Sequence, residues 1–262
     1  MPLKGMRCSF KPDNMSGYRL IEPGRRDQGY DMLSSLSALQ RGGVYIFFGG
    51  VVSAVGRGMK PGILVDKADW NDVDGLVQAM ADNEVLAHTS AVLYAFGLMF
   101  VITGLNSIRH FVTDQGLVGD MVRGGTLLGM LSIFVLGMLE GLDHMAVRVL
   151  NDGIGGNSTE IAVALQSAKL GVVLILWPVL YAAIGVAGLG GIRLLPGGFH
   201  RAVQGVASLV MLATAVLLLM AASLESNDFW MAVSAITAIV LAIWTITLSH
   251  ASYKNMVTAS TS

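Results

Sequence analysis

The sequence predicts an all-α integral membrane protein, a bundle of six transmembrane helices with both termini cytoplasmic, and three observations predict it. Hydrophobic residues make up 53% of the chain and charged residues 13%, against roughly 25% charge in soluble domains, and the mean hydropathy is +0.63. So much apolar surface does not fit inside one soluble core. Several windows then exceed the roughly 18 apolar residues of a membrane-span candidate. Finally, the basic residues fall on alternate loops, as the positive-inside rule requires of cytoplasmic segments.

Taken in chain order, residues 1–32 read as a polar cytoplasmic leader. It carries Lys4, Arg7, Lys11, Arg19, Arg25 and Arg26 and has no apolar run behind Met1, so it lacks the h-region of a secretory signal. Its Cys8 is the single cysteine, which excludes an internal disulfide framework and a CxxC metal site. Residues 33–250 form the membrane domain. Its first span is the least regular: the apolar run within 43–56 is short and glycine-rich, and it reaches spanning length only if the stretch 33–39 continues through Gln40 and Arg41. A half-helix or re-entrant segment is the alternative.

The outer loop 57–83 follows. Val73, Leu76, Val77 and Met80 have the i, i+3, i+4, i+7 spacing of an amphipathic helix lying on the outer surface of the bundle or bilayer. The acidic run 69–75 faintly resembles a calcium loop, but aligning its glycine puts Trp70 and Ala81 at ligand positions. Asp and Asn as helix caps explain it better. Five further spans, 85–108, 124–150, 161–192, 202–224 and 229–248, are each long enough to cross about 30 Å of hydrocarbon. Residues 251–262 are a short cytoplasmic tail.

Charge decides the count. With six spans the cytoplasmic side collects the leader cations with Arg41, Arg109, Arg123, Arg193, Arg201 and Lys254, while the outer side keeps only Arg57, Lys60, Lys67 and Arg148 and most of the loop carboxylates. The expected location is a cell membrane of the bacterial inner-membrane kind. Small residues at Gly125 and Gly129, Gly137 and Gly141, and Ala183, Ala187 and Gly191 are expected to be helix packing faces.

Ionisable groups inside spans are costly and mark function. Glu140, Asp143 and His144 are spaced i, i+3, i+4, Gln166 and Lys169 are three apart on the next span, and Glu84 and His88 four apart on the preceding one. Glu140 and Lys169 each sit roughly 14 Å below the outer ends of their spans at 1.5 Å per residue, so they are expected to pair. The seven residues together predict an outward-facing intramembrane polar cluster. Pairing among themselves to hold helices in register is the plainest account. A metal ion on His88, Asp143 and His144 suits the donor chemistry of zinc, iron or copper, and a b-type haem between His88 and His144 is a further alternative. His110, His200 and His250 lie at span ends as anchors. Trp177, Trp230, Trp244 and Tyr181 read as packing or interface aromatics.

Neither GxxxxGK[ST] nor GxGxxG after a strand occurs, and GxSxG is absent. A net charge of −1 with scattered cations gives no case for nucleic acid, and nucleotide is set aside with it. Three classes remain. A non-enzymatic subunit or scaffold of a larger membrane assembly leads, with the bilayer and other membrane subunits as partners. A small proton- or solute-handling transporter is weakened by the lack of repeated halves. An intramembrane metal or haem enzyme stays open, so whether the chain is an enzyme, and its cofactor, are undecided.

Overall fold

In the computed structural model, residues 38–69, 72–112, 116–195, 198–223 and Val240 are described. Among the described residues six α-helices follow one another: α1 Ala38–Met59, α2 Val73–Asp82, α3 Glu84–Phe111, α4 Leu117–Asn151, α5 Ser158–Gly191 and α6 Gly198–Ser223, with a 3-10 turn at Ile192–Leu194. Among the described residues there is no β-strand. Five helices among the described residues, all but α2, are long and apolar enough to cross a membrane. Their outward faces are apolar too, with Phe96 and Met99 on α3 and Phe134 and Met138 on α4 exposed. Such a surface suits lipid, where no water is available to hydrate polar groups. Apart from Val240, the expected sixth span at 229–248 lies outside the described residues, as do the leader 1–32 with Cys8 and the tail 251–262.

The uncertain first span is one unbroken helix. α1 runs through Gln40 and Arg41 for 22 residues, about 33 Å at 1.5 Å per residue, so the half-helix alternative does not describe it. Glycine makes this helix what it is. Gly42, Gly49 and Gly56 recur every seven residues and face α3, where a Cβ on Gly49 would lie 2.5 Å from the Gly97 carbonyl and one on Gly104 would lie 2.6 Å from the Gly42 carbonyl. The backbones of α1 and α3 therefore touch, in the way small residues allow within membranes.

α3 packs on α4, α4 on α5, and α5 on α6, each antiparallel to its predecessor. Gly125 is a packing face as the sequence predicts, since a Cβ there would meet the Ala183 carbonyl at 2.6 Å. Gly141 is not, because a Cβ there would meet nothing within 4 Å. At the α5 to α6 contact, Gln204 donates to the Gly188 carbonyl at 3.1 Å. Pro178 lies inside α5, which removes the N–H that the Leu174 carbonyl would accept.

α2 is a cap on the bundle. Its Leu76, Val77 and Met80 are buried against Ala87 of α3, Ala146 and Val147 of α4 and Ala162 of α5, so its apolar face meets protein and not lipid. Asp72 starts it, accepting a hydrogen bond from the Gly75 N–H at 2.9 Å, the capping expected of Asp. The preceding loop is pinned by Asn83, whose amide donates to Asp66 at 2.8 Å. Gly62 turns that loop with φ +87°, and a Cβ there would fall 2.3 Å from Leu76; only glycine fits both demands.

Candidate functional site

Six of the seven polar residues of the sequence reading divide into two groups, and Gln166 borders a cavity beside the deeper one. Asp143 and His144 are consecutive, so they project about 100° apart around α4. Glu140 lies between them on the helical wheel, and the neighbouring helices take one side each.

The shallower group sits between α3 and α4. His88 and His144 stack with ring centroids 4.4 Å apart, and their Nδ1 atoms are in contact. Glu84 completes it, with Oε1 3.3 Å from His88 Nε2 and Oε2 accepting from the Asn151 amide at 3.0 Å. All of these side chains are partly solvent-exposed.

The deeper group is buried and charged. Lys169 on α5 donates to Glu140 at 2.8 Å and to Asp143 at 2.7 Å. A fourth member joins them: Lys60, just past the end of α1, donates to the same Asp143 oxygen. Asp143 is 2% exposed and Lys169 5%, and in such surroundings unpaired charges would be very costly. Two cations and two carboxylates, from α4, α5 and the turn after α1, therefore neutralise one another. Burial pushes the Lys60 ammonium below the usual lysine range, against the pull of Asp143.

In this structure the Asp143 carboxylate faces two lysines and not the imidazoles. Among the described residues no group of three His, Cys, Asp or Glu could hold a metal ion.

Beside the charged group lies a cavity of about 430 Å³, within the range of small-molecule sites. Lys60, Glu140, Gln166 and Lys169 border it, and its apolar walls come from Val73 and Leu76 of α2, Leu136 of α4 and Leu170, Val173 and Leu174 of α5. α2 thus roofs the pocket. Ser90 and Tyr94 of α3 complete one side and Arg57 and Trp177 another, with the Arg57 guanidinium 5.9 Å from the Trp177 ring centroid. Two polar atoms of the lining have no hydrogen-bond partner among the described residues, Gln166 Oε1 and Trp177 Nε1.

Sequence reasoning missed Lys60, Arg57, Tyr94 and Trp177. Lys60 looked like an outer-loop cation, and Trp177 like one of several boundary aromatics. The one available signal was Lys60 directly before Pro61-Gly62, a turn able to fold the chain back over the bundle. No family model, no curated protein and no solved structure matches this chain.

Proposed function

We propose that this chain is a non-enzymatic membrane protein, a subunit or scaffold of a larger membrane assembly, that holds a ligand in the pocket beside Lys60 and Lys169. The observation that carries this reading is the pocket itself, bordered by buried charges and by polar atoms without partners among the described residues. Side chains that served only to lock helices would be expected to close over it, since unfilled space in a core costs stability. Ligand holding is favoured over catalysis because Asp143 is held by two lysines and Glu140 by one, which leaves neither carboxylate suited to act as a general base. Native mass spectrometry of the protein released from mild detergent is expected to find a bound small molecule at near one per chain. Leu174→Trp, which fills the pocket, is expected to lose that adduct while retaining its helical circular dichroism. A wild-type protein without any adduct, matched by a Leu174→Trp variant of higher melting temperature, would reject ligand holding and leave helix locking alone.

The same reading places six spans in a cell membrane of the bacterial inner-membrane kind, with both termini cytoplasmic. It rests on the distribution of basic residues. An impermeant thiol reagent applied to intact cells should leave Cys8 unlabelled. Single cysteines introduced near Asp74, Asn157 and Asn227 of a cysteine-free background should react. Modification of Cys8 in intact cells would overturn this orientation.

A further inference from the structure

Hydrogen-bonding capacity in the pocket is unbalanced. An ammonium has three donors, yet among the described residues Lys60 donates to Asp143 alone and Lys169 to Glu140 and Asp143. Among the described residues two N–H groups on Lys60 and one on Lys169 thus have no acceptor, and the Trp177 indole N–H is a fourth. Against these four donors stand two buried acceptors without a partner among the described residues, Gln166 Oε1 in the lining and Asp143 Oδ1 behind the lysines. Glu140 is the only carboxylate among the lining residues, and one of its oxygens is already held by Lys169. Leu136, Leu170, Val173 and Leu174 make one wall apolar, while Arg57, Ser90, Tyr94 and Ser167 add polar groups elsewhere in the lining.

From this we infer that the pocket binds an anionic amphiphile, a molecule with a carboxylate or phosphate head on an apolar chain, its head oxygens accepting from Lys60, Lys169 and Trp177. The inference rests on the ligand-holding reading above. A charged acceptor is the chemistry that satisfies desolvated cationic donors, and hydrogen bonds to charged groups are the stronger kind. The tail lies along the α5 leucines and beneath α2. Ser167 and Gly171, exposed residues of α5, also border the cavity, so among the described residues the site reaches the bundle exterior along α5, where a lipid-like molecule can enter from the bilayer side.

Equilibrium binding of radiolabelled palmitate to the whole chain in maltoside detergent tests this. Decyl phosphate should displace it, hexadecanol should compete roughly ten- to a hundredfold more weakly for want of the charge-assisted bonds, and inorganic phosphate should not compete. Trp177→Phe retains the aromatic ring and removes one donor, so palmitate should bind about tenfold more weakly while hexadecanol is unaffected; Lys60→Gln should act in the same direction. Hexadecanol binding as tightly as palmitate, or a Trp177→Phe variant with unchanged palmitate affinity, would overturn the headgroup assignment and leave the pocket reading intact. Displacement by inorganic phosphate would assign the site to a free anion. Binding of none of the probes, with no adduct on the wild-type protein, would overturn both.

Discussion

Asp143→Leu is expected to destabilise the protein more than any other single change in the buried charged group, by about 3–5 kcal/mol, the range for breaking a buried ion pair from one side. Asp143 is the hub, since Lys60 and Lys169 both donate to it, and its loss leaves two buried ammonium groups facing Glu140 alone. Lys60→Met with Asp143→Leu removes one charge of each sign and keeps the Glu140 to Lys169 pair, so the double variant should be more stable than Asp143→Leu by itself. Glu140→Gln should cost less, because both lysines retain Asp143. Unfolding in mixed detergent micelles measures the cycle. Strict additivity of the Lys60 and Asp143 changes, or a loss under about 1 kcal/mol for Asp143→Leu, would show that these groups do not depend on one another.

Gly49→Ala and Gly50→Ala are expected to behave oppositely although they are neighbours. A Cβ on Gly49 would lie 2.5 Å from the Gly97 carbonyl and 2.8 Å from the Val101 nitrogen, both backbone atoms, whereas a Cβ on Gly50 meets nothing within 4 Å. The first change must push α1 away from α3 and should cost about 1–3 kcal/mol, as overpacking does. The second should be neutral or slightly stabilising, since alanine is the better helix former. α1 also carries Arg57 and Lys60 to the pocket, so Gly49→Ala should weaken ligand retention as well. Equal melting temperatures for the two variants would mean that the α1 to α3 contact is looser than the glycine spacing requires.

Part of the site was legible along single helices. The i, i+3 spacing put Glu140 and Asp143 on one face of α4 and Gln166 and Lys169 on one face of α5, and matched depth brought Glu140 to Lys169. The same logic failed for His144, because a face defined by i, i+3 and i+4 is about 100° wide and two different helices pack against its edges. His144 therefore meets His88, and Asp143 meets the lysines. Lys60 was illegible for a different reason: it lies beyond the apolar run, and only the fold-back at Gly62 beneath α2 directs it into the bundle.

What the sequence determined by itself is the helical, apolar character of the chain, the positions of its long helices, the amphipathic helix at 73–82 and the presence of charge at mid-span. These follow from local rules, since a backbone in hydrocarbon must satisfy its own hydrogen bonds and charge there must be compensated. Only the tertiary structure decided that α1 is a full helix held to α3 through its glycines, that α2 covers the bundle end, and that Lys60 and Trp177 border a pocket with the buried charges. Those outcomes depend on which backbones approach closely enough to touch. That is set by the absence of side chains at Gly42, Gly49 and Gly104, a property that registers in the sequence as low helix propensity and becomes a contact only when the second helix is in place.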